Sequence, residues 1–96
     1  MPISKQYLKS KPECKITFNL YAKEADQVEL VGEFNGWKPA KLKKYKNGNF
    51  KTQLNLPVDK AYEFRYLVDG QWQNDPAADA YKWNDFAGDD NSVVSV

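Results

Sequence analysis

The apolar residues of this chain recur with a period of two in almost every run, and no segment sustains a helical period. Ile16, Phe18 and Leu20 alternate with Lys15, Thr17 and Asn19. Val28, Leu30 and Gly32 repeat the pattern against Glu29 and Glu33. Phe50, Thr52, Leu54 and Leu56 do so against Asn49, Lys51, Gln53 and Asn55, and Tyr62, Phe64, Tyr66 and Val68 against Glu63, Arg65 and Leu67. A strand sends successive side chains to opposite faces, so each run reads as a half-buried strand. A short final run, Ser92 to Val96, closes the chain. Several short strands with frequent turns predict an all-β antiparallel sandwich, immunoglobulin-like in topology, with a small barrel as the alternative.

Turn residues separate the runs. Asn47-Gly48-Asn49 and Asp69-Gly70 predict hairpin turns, because glycine accepts the positive φ that a tight turn needs. Pro57 ends a strand, since it cannot donate to the ladder. The expected core is Ile16, Phe18, Leu20, Val28, Leu30, Phe50, Leu54, Tyr62, Phe64 and Val68, with Cys14 half-buried ahead of its strand. Residues 74–91 carry five aspartates with Tyr81, Trp83 and Phe86 between them. This segment is expected to be a long, irregular but ordered loop before the last strand. At 96 residues the chain is one domain, 1–96, with 1–13 as an N-terminal extension.

Charge points to no polyanion as partner. The net charge is +1, so no overall drive exists toward nucleic acid or an acidic membrane. Lysines gather at Lys38, Lys41, Lys43, Lys44 and Lys46, where they are expected to guard a solvated edge strand. Stacking of bases on exposed aromatics is the nucleic-acid alternative, and the acidic second half of the chain opposes it. The single cysteine excludes an internal disulfide and a cysteine-based zinc site, and histidine is absent. No cofactor is expected. No long apolar run and no apolar signal core are present, so the expectation is a cytoplasmic protein away from the membrane.

Two tryptophans follow turn residues, in Gly32-Glu33-Phe34-Asn35-Gly36-Trp37 and Asp69-Gly70-Gln71-Trp72. A tryptophan beside a turn is hard to bury fully, so both are candidates for a flat apolar platform at the surface. The C–H faces of sugar rings fit such a platform, and sugar hydroxyls need fork or amide partners. Arg65 lies on the polar face of the strand that leads into the Asp69-Gly70 turn, and Asn91 starts the last strand. Both suit that need, with Tyr66 and Phe34 as expected buttresses. The opposing reading makes both tryptophans core or hinge residues.

These residues resemble a known family. Val28 to Trp37 is similar to the "GxFNxW" element of glycogen- and starch-binding modules, carbohydrate-binding module family 48. Such modules form the isoamylase N-terminal domain, and occur in glycogen branching enzymes and the β subunit of AMP-activated protein kinase. Tyr62 to Trp72, followed by Asn74-Asp75-Pro76, resembles a second element, and Asn91 to Val96 a third. The resemblance covers residues 14–96. It implies an immunoglobulin-like β-sandwich of the early-set type that recognises α-1,4-linked glucan: glycogen, starch or a maltooligosaccharide. It implies stacking by Trp37 and Trp72 and hydrogen bonding by Arg65 and Asn91. The family places an apolar residue in the loop before the last strand, a place that Phe86 or Ala87 can fill, and Trp83 is a further candidate in that loop.

A catalytic reading needs a buried carboxylate pair, and the loop acids show no sequence feature that would bury them. Calcium suits oxygen ligands, but no EF-hand spacing is present. No catalysis is therefore expected. The alternative function is an adaptor of immunoglobulin-like fold that docks on a glucan-metabolising enzyme without binding sugar.

Overall fold

The computed structural model describes residues 3–96. Among the described residues there are ten antiparallel strands and one short 3-10 helix. They are β1 (Ser4–Tyr7), β2 (Glu13–Tyr21), β3 (Val28–Gly32), the helix Glu33–Asn35, β4 (Ala40–Lys41), β5 (Lys43–Lys44), β6 (Asn49–Pro57), β7 (Ala61–Val68), β8 (Gln71–Gln73), β9 (Ala80–Asn84) and β10 (Asp89–Ser95). One sheet runs β1-β2-β6-β5 and the other β4-β3-β7-β10-β9, with β8 paired to β7. The two sheets form a β-sandwich of the immunoglobulin-like kind.

The period of two sets the register. In the first sheet Cys14, Ile16, Phe18 and Leu20 stand opposite Leu56, Leu54, Thr52 and Phe50. In the second, Val28, Leu30 and Gly32 stand opposite Val68, Tyr66 and Phe64, and Val94 opposite Tyr62. These faces meet as one core. Phe18 joins the sheets, its ring centroid 5.1 Å from Phe64 edge-on and 5.3 Å from Phe34. Gly32 is required by close approach: a Cβ there would lie 2.7 Å from Phe34 Cζ and 2.8 Å from Phe64 Cβ.

Several expectations change. Leu54 and Val68 are only partly buried against the core; Val68 is the last residue of β7. Cys14 is fully buried rather than half-buried, since its side chain points inward opposite Leu56. The same holds for Tyr66, expected beneath a surface platform: its parity on β7 turns it into the core. Phe34 belongs there too, with Phe18, Tyr62 and Phe64 as ring neighbours. The segment expected to be an irregular loop carries β9, which pairs with β10 from Asn84 opposite Asp89 to Ala80 opposite Val93. The residues treated as an N-terminal extension supply β1, paired to β2 from Ser4 opposite Thr17 to Tyr7 opposite Cys14.

The lysine-rich passage is an edge on both sides of the sandwich. β4 borders the second sheet and β5 the first. The chain crosses between them at Leu42, whose side chain is buried and whose N–H donates to Val28 O at 2.9 Å. The exposed Lys41, Lys43 and Lys44 on either side blunt both edges against further pairing.

Candidate functional site

Each tryptophan is presented by its own tight turn. After β3 the backbone makes the 3-10 turn Glu33–Asn35, then enters the left-handed region at Gly36 (φ 65°) and again at Trp37 (φ 61°). Asn35 fixes the turn: its Oδ1 accepts from Gly32 N at 3.0 Å, and its Nδ2 donates to Leu30 O at 3.0 Å. Trp37 N donates to Gly32 O at 2.8 Å and closes it. Positive φ is unfavourable for a bulky residue, and such strain gathers where a side chain is held for a purpose. The indole that results is 41% exposed.

Trp72 stands on β8, the return strand of the hairpin at Asp69-Gly70. Both turn residues have positive φ (50° and 83°), as a two-residue hairpin of the right twist demands. Asp69 also ties the turn to the body. Its carboxylate accepts from the backbone N–H groups of Asp26 and Gln27, at 3.0 and 2.9 Å. Trp72 is opposite Leu67 in register, which puts it on the outer face of the second sheet with Arg65. It is 50% exposed.

Arg65 lies between the indoles and the β9–β10 hairpin. Its side chain is buried, its guanidinium carbon is 5.2 Å from the Trp72 ring centroid, and its Nη2 donates to Asp89 Oδ2 at 3.2 Å. The Nε donor has no acceptor among the described residues, an uncommon state for a buried polar atom. Val31, opposite Arg65, and Val93, opposite Glu63, share this outer face. Both are buried yet stand apart from the main core cluster.

Trp37, Arg65, Trp72, Asn84, Phe86, Ala87 and Asp89 line one open cavity of about 460 Å³. Five of the seven residues singled out from the sequence are therefore together: Trp37, Arg65, Trp72, Phe86 and Ala87. Phe86 sits fully exposed at the tip of the β9–β10 hairpin. Asn84 Oδ1 accepts from Phe86 N at 3.0 Å and from Ala87 N at 3.4 Å, and so shapes that tip.

The other two stand elsewhere. Asn91 is only 3% exposed and does not line the cavity. Its Nδ2 donates to Glu63 Oε1 at 3.1 Å, and its Oδ1 accepts from Asn84 Nδ2 at 3.3 Å. It therefore acts on the cavity through Asn84. Trp83 is 60% exposed but pairs with Asp90, whereas Asn91 pairs with Lys82. Strand alternation thus turns Trp83 to the face opposite Arg65 and Asn91. Its indole N–H donates to Asp85 Oδ1 at 2.6 Å. Asn84 and Asp89 were not foreseen, because only the strand pairing of β9 brings them to Arg65.

Most of the aspartates in the 74–91 segment are taken up by contacts within the chain. Asp75 is buried: its Oδ2 accepts from Tyr66 OH at 2.9 Å, its Oδ1 from Ala77 N at 2.8 Å, and its N–H donates to Ser92 Oγ at 2.8 Å. Burial, with the negative charge of Asp75 and the bond to it, holds the Tyr66 phenol well above its ordinary value. Asp79 accepts from Lys5 Nζ at 2.7 Å and from Ser95 N at 2.8 Å, fastening β1 to β10. Asp85 holds Trp83, and Asp89 pairs with Arg65.

The family model described as "Glycogen recognition site of AMP-activated protein kinase" matches residues 14–96. The chain is 43% identical over 58 residues to Protein PTST homolog 2, chloroplastic, of Arabidopsis thaliana, covering 59% of this chain and 11% of that protein. It is 29% identical over 89 residues to Protein FLOURY ENDOSPERM 6, chloroplastic, of Oryza sativa subsp. japonica, covering 92% and 16%. It is 41% identical over 51 residues to the 5'-AMP-activated protein kinase subunit beta-1 of Sus scrofa, covering 53% and 40%. The chain thus spans less than half the length of each of these relatives. The expectation of a cytoplasmic protein is corrected by these matches, since both plant relatives are named chloroplastic. It rested on the lack of an apolar signal core, and plastid transit segments are amphipathic rather than apolar. With the matched segment running from β2 through the last strand and both tryptophans in it, the chain belongs to the glycogen-recognition family of carbohydrate-binding modules.

Proposed function

We propose that this module holds a run of α-1,4-linked glucose in the cavity between Trp37 and Trp72, and that it carries out no reaction of its own. The observation that carries the reading is the meeting of both half-exposed indoles in one open cavity with Arg65. The indoles supply apolar faces to the sugar rings. Arg65 donates to hydroxyls, and Asn84 offers an amide held in place by Asn91. Asp89 holds the guanidinium against Trp72 and accepts from a further hydroxyl. Phe86, at the tip of its hairpin, folds over the glucan as an apolar rim. Two stacked rings and a few hydrogen bonds support a Kd on the order of 0.01–1 mM. Such affinity suits a targeting module that gains avidity on a branched polymer. One of its relatives is a kinase subunit and others are much longer than this chain, which favours a glucan-active enzyme as its associate.

Co-sedimentation with glycogen tests the reading. The wild-type protein is expected in the pellet, with a clearly smaller share of Trp37→Ala and Trp72→Ala pelleted while still folded. Folded wild-type protein that stays in the supernatant would favour the adaptor without sugar binding.

A further inference from the structure

A second, larger cavity lies on the other side of the β7–β8 hairpin. β8 has three residues, and alternation sends Trp72 to one face and Gln71 and Gln73 to the other. On that other face the two glutamines, Val68, Asp69 and the turn after β2 from Tyr21 to Ala25 surround an open cavity of about 640 Å³. The rim is held in place. Ala22 N donates to Gly48 O at 2.9 Å, and a Cβ on Gly48 would lie 2.9 Å from Tyr21 Cε1, so the tyrosine ring rests against the bare backbone of the neighbouring turn. That ring is nevertheless 61% exposed.

The chemistry of this cavity is that of a neutral, hydroxylated ligand. Its charges oppose one another at Lys23 and Glu24, and the Asp69 carboxylate is engaged by the backbone of Asp26 and Gln27. No hydrogen bond holds the side-chain amide of Gln71 or Gln73 among the described residues. Each amide offers both donors and an acceptor, which an array of hydroxyls needs. One flat ring with two free amides beside it, and no excess of positive charge, matches a sugar chain better than an anionic polymer.

From this we infer a second α-glucan subsite at Tyr21, Gln71 and Gln73, back to back with the Trp37–Trp72 cavity across a single hairpin. The inference rests on the glucan reading of the first cavity. It makes the module bivalent: one domain grips two runs of glucose, one on each side of a blade two strands wide. Linked sites of this kind raise avidity on a dense polymer without any new contact.

Titration of the isotope-labelled protein with maltoheptaose, read by NMR, separates the two sites. The indole N–H signals of Trp37 and Trp72 report the first, and the side-chain amides of Gln71 and Gln73 the second. In the wild-type protein both sets should move and saturate. In Trp37→Ala the glutamine shifts should persist with an affinity within about threefold of wild type. In Tyr21→Ala they should vanish while the indole shifts remain, and Tyr21→Phe should restore them. Gln71→Leu, remote from the contact of Tyr21 with Gly48, should weaken the same site and guards against a folding defect in Tyr21→Ala. Indole shifts without glutamine shifts, or glutamine shifts lost in Trp37→Ala, would overturn the second subsite and leave the first standing. If no signal moves, both readings fail.

Discussion

The Arg65 guanidinium carbon lies 5.2 Å from the centre of the Trp72 ring, and its far edge is held by Asp89. One cation thus braces the indole and faces the cavity. A guanidinium is weakly hydrated and planar, so it stacks on an aromatic face in a way an ammonium cannot copy. Arg65→Met keeps the buried stem and removes the fork. It should lower affinity for maltoheptaose about tenfold, equivalent to about 1.4 kcal/mol, by titration calorimetry. Asp89→Asn should lower it less, because Arg65 keeps its place beneath Trp72.

Trp37 occupies a backbone conformation that glycine prefers. Holding a non-glycine residue there costs on the order of 1–3 kcal/mol. Trp37→Gly should therefore unfold at a higher temperature than Trp37→Ala, although both lose the indole and with it its stacking in the Trp37–Trp72 cavity. Equal melting temperatures would mean that the turn stores no strain.

Tyr66 and Asp75 belong to the fold and not to the site. The Tyr66 hydroxyl donates to a carboxylate that is itself buried. Tyr66→Phe leaves that carboxylate one donor short, which costs about 1–3 kcal/mol in chemical denaturation. Glucan affinity should stay within about twofold, since the ring points into the core.

Asp79 gives the fold a pH dependence. Burial pushes its carboxyl upward, but the bond from Lys5, the Ser95 amide and the Lys5 charge outweigh this and hold it below its ordinary value. A group depressed in the folded state stabilises above its unfolded pKa of about 3.9, and this stability is lost as pH falls through the lower folded value. Lys5→Ala should therefore melt below wild type at neutral pH. The gap should close as the pH drops below about 4. A gap that stays constant down to pH 2 would show that the Lys5–Asp79 contact is not ionic.

Much of the sandwich was legible because its core strands are long and alternate cleanly. Ile16, Phe18 and Leu20 needed no more than a period of two to find the core. The two hairpin turns were legible from glycine alone, at Gly48 and Gly70. Strands such as β4, β5 and β8 have two or three residues with exposed side chains, so they carry no apolar period. β9 was hidden in the same way: Tyr81 and Trp83 alternate, yet both are exposed, and the flanking aspartates read as loop. The register of β9 on β10 then determines which residues reach Arg65. It brings Asn84 and Asp89 to the cavity and turns Trp83 away. No local pattern encodes that pairing, because it joins residues across a hairpin whose strands do not announce themselves.

Tryptophan fluorescence during titration with maltoheptaose tests the central claim most directly. A saturable change with a midpoint on the order of 0.01–1 mM is expected for the wild-type protein. Trp37→Ala and Trp72→Ala should each weaken it at least tenfold, as truncation of a central aromatic anchor costing ~2 kcal/mol requires. Full affinity in either variant, with the fold intact, would contradict a glucan held between the two indoles.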